Sequence, residues 1–368
     1  MSETSPSHGA AGLIVGYALN AFPCHTLEEL WPVLRGPVAL IKNRAFPRER
    51  FPIELRFSKP LVTALQQDER ACERLRDELL TGGLWLVTAN AFVLPRFHGE
   101  RVKERVYLPA WHESSARRDF TCASLDVLAR LTEGDHHTLD FWSVSVPFGA
   151  LKPVSMSAIA PNILACGEHA RRLSERSGRR FIVALEPEPG LTVETTAEAV
   201  EFFENHVPTA LRPYLGVNFD LGHQLVEFEE PIESVRQLSR AGIVVAKVHV
   251  SNAAELSQLA PFYRDSIYFH QTTGVDERGR RVFFSLDWPD TKPTGVARYR
   301  VHYHLPVFPS TLPSTLSAVE QFLRDVRPVL PATVPLIIET YTWPQQEPQP
   351  DQIVENICRE LEWVRSKI

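Results

Sequence analysis

The chain has 368 residues, 44% of them hydrophobic and 23% charged, which is enough apolar material for a large core and excludes a disordered or fibrous protein. Its 39 basic residues against 45 acidic ones give a net charge of −6, which argues against a broad electrostatic surface for nucleic acid or anionic lipid. The opening MSETSPSHGAAG has no basic-then-apolar leader pattern, no apolar run approaches the roughly 18 residues that span a bilayer, and Cys24, Cys72, Cys122, Cys166 and Cys358 form no CxxC pair. These features predict a cytoplasmic protein with buried thiols and neither disulfides nor a thiolate zinc site.

Residues 1–12 read as a flexible N-terminus and residues 13–368 as one domain, because no linker or low-complexity block divides them. From residue 13 onward a short β-branched or aromatic run is followed repeatedly by a polar turn and a stretch of helical period. LIVGYAL (13–19) leads to a helix over 26–34, PIELRF (52–57) to 60–80, LWLVTAN (84–90) to 121–133, and FWSVSVP (141–147) to 158–178. FIVALEP (181–187) leads to 194–206, LGVNFD (215–220) to 230–240, IVVAKVHV (243–250) to 314–328, and PLIIETY (335–341) to 349–366. Several strands are almost wholly apolar, as strands covered on both faces must be.

Eight βα units in a chain of this length predict a closed (β/α)8 barrel, since parallel strands need crossover helices and closure leaves no edge exposed. An open doubly wound sheet is the alternative, but the first strand runs into NAFPCHT where a dinucleotide fold has a glycine-rich turn. Residues 251–312 break the repeat and read as an insertion after the seventh strand, with one further strand-like run, YRVHYHLPVF (299–308). Loops at that end of a barrel lie over the C-terminal face, where barrel active sites form.

Chemistry-bearing residues accumulate at the carboxyl ends of four strands. The fifth ends in ALEPEPG with Glu186 and Glu188, the sixth in FDLGHQ with Asp220 and His223, the seventh in KVHVS with His249, and the eighth in IIET with Glu339. Carboxylates clustered without a cation repel one another, and a divalent metal relieves that conflict. Glu186, Asp220, His249 and Glu339 supply three carboxylates and an imidazole, a set that favours Mn²⁺ or Mg²⁺ and tolerates Co²⁺, Fe²⁺ or Zn²⁺.

These motifs, in this order, resemble the xylose isomerase-like barrel superfamily of ketose epimerases, sugar isomerases and AP endonucleases. The whole chain is similar to the EboE metabolite-traffic proteins within it, on GYALNAF, LWLVTANAFVLPRFHGERVKERVYLPAW, ALEPEPGLTVETTAEAVEFF, GVNFDLGHQLVEFE and RVHYHLPVF. The resemblance implies that Glu186, Asp220, His249 and Glu339 hold the metal and that Glu186 and Glu339 exchange a proton beside a polarised carbonyl. It further implies that His223 meets substrate or a second metal. The chain departs from the sugar epimerases at Glu255, where they place a substrate-binding arginine, and at Thr192, where they place a glutamate.

The expected function is therefore metal-dependent isomerisation or epimerisation of a small polyhydroxylated carbonyl compound, a sugar or cyclitol of a secondary-metabolite pathway. A non-catalytic metabolite carrier and a metal-dependent phosphoesterase are the alternatives. Asn90, His98 and Glu188 are further candidates for binding substrate, as are His302 and His304, which lie two apart on a strand and so face one way. The plainer readings are a loop-ordering Asp220–His223 pair and solvated rings at His302 and His304. His136 and His137 precede a strand at the opposite rim and are not expected to be ligands, while Trp343, just beyond Glu339, is a candidate wall of the cleft. For a phosphate backbone the sequence leaves only short basic patches, such as Arg101, Lys103 and Arg105.

Overall fold

The computed structural model describes residues 13–135, 139–256, 267–288, 294–347 and 349–368. His136 and His137, the N-terminal residues 1–12, and positions 257–266 and 289–293 of the insertion lie outside the described residues.

Eight parallel strands close into a barrel. They are β1 (Val15–Ala18), β2 (Phe51–Arg56), β3 (Leu84–Asn90), β4 (Trp142–Pro147), β5 (Phe181–Glu186), β6 (Leu215–Asp220), β7 (Val244–Val250) and, closing it against β1, β12 (Leu336–Ile338). Every expected strand forms, and nearly every strand residue is buried, because helices cover the outside and side chains fill the inside. Strand alternation sends Val217 and Phe219 of β6 into the helical layer while Asn218 and Asp220 point inward.

Between β7 and the helix Leu316–Asp325 stands a second, antiparallel sheet. It contains β8 (Asn252–Leu256), β9 (Thr272–Val275), β10 (Arg281–Ser285) and β11 (Arg298–Leu305), in the order β10-β9-β11-β8. The sequence had suggested one strand here, and the others are short runs whose polar and aromatic residues carry no clean alternation. The β8–β11 register shifts between Val301 and Leu305, across the stretch that carries His302 and His304.

Three helices differ from expectation. The span 60–80 is divided at Asp68, whose side chain accepts the amide of Ala71 and starts a new helix. The first helix continues past residue 34 through a wider turn, 34–38, containing Pro37, which has no amide to donate, and then runs on to Ala45. A short helix, Leu221–Val226, opens directly from the end of β6 with Asp220 as its cap.

Candidate metal centre

Pairing in the barrel sets Asp220 beside His249, and the amide of Glu339 donates to the carbonyl of Val250, so the strand ends finish at one level. One donor atom from each of Glu186, Asp220, His249 and Glu339 lies within 4.8 Å of every other, and all four residues are buried. His249 Nδ1 is 3.2 Å from Glu186 Oε1, 3.1 Å from Glu339 Oε2 and 3.6 Å from Asp220 Oδ2. Burial opposes charging this ring, but the surrounding Glu339, Glu54 and Glu186 carboxylates outweigh it and raise the His249 pKa well above the usual histidine range.

Each member is held by one atom and leaves another turned inward. Asp220 Oδ1 accepts from the His223 amide at 2.9 Å and from Ser251 Oγ at 2.7 Å, while Oδ2 has no hydrogen-bond partner. Gly222 is required here, since a Cβ would lie 2.9 Å from Ser251 Oγ and 3.2 Å from Asp220 Oδ1. Glu339 Oε1 accepts from Asn20 Nδ2 at 2.6 Å, and Glu186 Oε2 is buried without a partner. On the far side of the His249 ring, Nε2 faces both oxygens of Glu54 at 3.2 Å, and Glu54 in turn pairs with buried Lys247. A carboxylate only accepts, so Glu54 holds a proton on Nε2, and a cation among the other carboxylates would take the place of the Nδ1 proton. Orphaned carboxylate oxygens, an aimed imidazole and a second carboxylate fixing that imidazole are what a divalent cation requires, and the residues fit one.

A second group adjoins the first. His223, His302 and His304 bring one ring nitrogen each within 4.8 Å of the others. His223 Nδ1 faces the carbonyl of Pro187 at 2.9 Å, His302 Nδ1 faces Gln271 Oε1 at 2.9 Å, and His304 Nδ1 faces the carbonyl of Glu339 at 2.7 Å. The Gln271 orientation follows from its Nε2 donating to Tyr107 and Glu188. Acceptors on all three Nδ1 atoms leave three bare Nε2 lone pairs, with His223 Nε2 and His302 Nε2 3.1 Å apart and His304 Nε2 unpartnered. Two lone pairs at that separation need a proton or a cation between them. His302 is held well below the usual range by burial and by its histidine neighbours, whereas Asp220 and the nearby glutamates raise His223 against the cost of burial. His302 and His304 are thus buried, which corrects the reading of them as solvated rings, while Asp220 does order the start of the helix Leu221–Val226 through the His223 amide.

The cleft above these groups is lined by Glu188 and Asn90 among others. Glu188 accepts from Tyr107 at 2.7 Å and Gln271 at 2.8 Å, and burial pushes its carboxyl up to about 7. Asn90 lines the cleft while its Oδ1 takes the amide of Phe92. His98 is different. Its two ring nitrogens face the Asn20 carbonyl at 2.6 Å and Tyr268 Oη at 2.7 Å, and burial lowers its pKa to about 4, so it braces the cleft's wall as a neutral ring. Trp343 also turns away, its Nε1 donating to Tyr17 and Glu360 behind the site. The basic patch is consumed by ion pairs, Arg101 with Glu104, Lys103 with Asp287 and Arg105 with Glu100.

Glu54, Lys247, Asn20 and Arg56 escaped the sequence reading. The first two and Arg56 left a signal, since IELR and AKVH place charged residues at alternate positions inside otherwise apolar strands, as only interior-facing positions of a barrel permit. Asn20 left none.

No family model and no curated protein matches the sequence. Among solved structures, a xylose isomerase-like TIM barrel protein from Mycobacterium smegmatis in complex with magnesium is similar, with a TM-score of 0.55 and 14% identity, over 96% of this chain and 97% of that one. The chain has the xylose isomerase-like (β/α)8 fold. The probable 3-DHS dehydratase AsbF of Bacillus anthracis matches this xylose isomerase-like barrel with a TM-score of 0.53 and 14% identity, over 95% of this chain and 98% of its own. The IOLI protein with a binding zinc atom matches with a TM-score of 0.53 and 14% identity, over 96% and 99%. At these identities the likeness is one of fold.

Proposed function

We propose that this chain is a divalent-metal-dependent enzyme of the isomerase or epimerase type, acting on a small polyhydroxylated carbonyl compound such as a ketose or ketocyclitol. The observation that carries the reading is the convergence of Glu186, Asp220, His249 and Glu339 on one point with carboxylate oxygens left unpartnered. Mn²⁺ or Mg²⁺ suits that oxygen-rich set. A cation bound there would polarise a substrate carbonyl and acidify the neighbouring C–H. Glu186 and Glu339 are then the groups that take and return the proton, Asn20 orients the Glu339 carboxylate, and Glu188, with its raised pKa, is suited to move a proton to or from a substrate hydroxyl. His223, His302 and His304 line the cleft on the substrate's path, with Asn90 beyond them. The resemblance to the EboE proteins supplies the setting, a cytoplasmic secondary-metabolite pathway with a small molecule as partner, and residues 13–368 act as one domain whose 251–312 segment covers the site.

The triple-histidine group favours a second reading, metal-assisted phosphoester hydrolysis with a further cation, Zn²⁺ being the ion that three imidazoles suit. Exchange of substrate hydrogen with solvent separates the two. Magnesium-loaded protein is incubated in D₂O with fructose, psicose or 2-keto-myo-inositol and followed by proton NMR, with p-nitrophenyl phosphate and its diester as parallel substrates. Deuterium entering beside the carbonyl, and at least 100-fold slower entry in Glu339→Gln, supports the isomerase reading. Phosphoester cleavage without exchange replaces it, and ligand binding with neither reaction leaves a carrier.

A further inference from the structure

A second part of the cleft's lining is built around Arg56. This residue ends β2, two positions after Glu54, so both side chains enter the barrel from one strand face. It is 8% exposed and lines the cleft. Its terminal nitrogens donate to the carbonyls of Cys24 at 2.9 Å, Pro95 at 2.8 Å and, weakly, Val93 at 3.4 Å, while its Nε has no partner. Among the described residues no carboxylate pairs with it, and nearby Glu29 is engaged by Arg96 at 2.8 Å. A guanidinium removed from water with a donor unmet and no anion is costly.

Arg117 is an internal control. It is buried still more fully and is also bonded only to carbonyls, but its Nε reaches Pro109 and its other nitrogens reach Phe92 and Val106, and it does not line the cleft. Arg117 is complete as a structural brace. Arg56 keeps one donor unmet and lines the cleft, a combination that neither Arg117 nor Arg212, whose Nε is also unmet but which lies outside the cleft lining, shares. From Arg56 an aromatic wall runs back to the histidines: Phe97 lies 5.7 Å from the guanidinium, Tyr341 lies 5.3 Å from Phe97, and His304 lies 4.7 Å from Tyr341. The wall fits a flat or ring-shaped body held between Arg56 and the histidines.

We propose that Arg56 receives a carboxylate of the substrate, which makes the substrate an acidic hydroxylated carbonyl compound rather than a neutral sugar. The proposal rests on the metal-centre reading and adds the substrate's charge to it. One unmet Nε–H matches a carboxylate, whereas a phosphate calls for several donors, and Lys103, another cation in the lining, is taken by Asp287. Arg56 is a specificity residue here, with no part in proton transfer.

The test measures binding of matched acid and methyl-ester pairs (quinate, shikimate, glucuronate, protocatechuate) to the full chain loaded with manganese, by thermal shift and calorimetry. Fructose 6-phosphate against fructose is the phosphate arm, and metal content is measured on every sample. The expected result is at least one acid bound 10-fold or more tightly than its ester, a preference lost in Arg56→Met with ester affinity and metal content unchanged. If Arg56→Met does not fold, the Nε–H resonances of ¹⁵N-arginine-labelled wild type decide, one moving downfield with the acid and none with the ester. Equal binding across all pairs, a preference that survives Arg56→Met or no resonance specific to the acid overturns the proposal, as does a phosphate preference larger than any acid preference. Protein that takes up no manganese defeats the metal-centre reading instead, so the two failures are distinguishable.

Discussion

Two neighbouring clusters, 4.0 Å apart between Asp220 Oδ2 and His304 Nε2, use the same barrel mouth in opposite ways. Glu186, Asp220, His249 and Glu339 come from four barrel strands or their ends, and three negative charges share one buried space. His223, His302 and His304 are imidazoles pinned through Nδ1, and two of them come from β11 of the added sheet. The first cluster gathers three carboxylates around one imidazole and so suits a cation, whereas the second needs only a proton between two rings and gains a cation as an option. What the barrel scaffold dictates is thus separable from what the added sheet tunes.

Removing a carboxylate of the first cluster is expected to have the largest effect. Glu186→Gln should weaken Mn²⁺ binding by more than 100-fold in calorimetry and slow hydrogen exchange by about 10²–10⁴-fold, the range for general acid–base groups. Equal affinity in variant and wild type would break the contrast. One step outward, Glu54→Gln should weaken metal affinity by about 10–100-fold, as loss of an outer-sphere carboxylate does, because His249 then loses its enforced tautomer. Lys247→Met is added to that variant so that no unpaired buried ammonium confuses the result, and melting temperature is read beside affinity.

His304→Ala should lower the affinity for a second equivalent of Zn²⁺ by about tenfold or more and leave the first equivalent in place, as measured by competition with a zinc indicator. Loss of both together would show that the clusters are one site. The smallest effect lies outside both. Glu229 caps the helix Thr196–His206 through the Thr196 amide at 3.0 Å, and burial, opposed by the Thr196 hydrogen bonds, pushes its carboxyl up to about 7. Its folded pKa is raised, so its contribution is present at pH 4 and lost as pH rises through about 7. Between pH 4.5 and 8, wild type should lose roughly 2 kcal/mol more stability than Glu229→Gln in urea unfolding.

The barrel was legible because its strands are apolar runs bounded by turns, and the four strand-end donors because each stands at the point where such a run meets its loop. The added sheet was half legible. YRVHYHLPVF announced β11, but β8, β9 and β10 are short and mixed in character, and their pairing is fixed by distant partners rather than local pattern. His98 illustrates a further limit, since residue type cannot tell a ring facing substrate from one spent on Asn20 and Tyr268. Asn20 reaches the site from the single helical turn Leu19–Ala21 and Gln271 from the residue before β9, segments too short for a period to betray them. Glu54 and Arg56, by contrast, stood in plain alternation within β2 and were passed over because an ion pair inside a barrel looks like a surface pattern until closure is known.

Elemental analysis of dialysed wild type and Asp220→Ala, both loaded with manganese, tests the central claim most directly. The account expects at least one equivalent retained by the wild type and one fewer in the variant, with circular dichroism unchanged. Equal manganese in the two proteins, or none in the wild type, would contradict it.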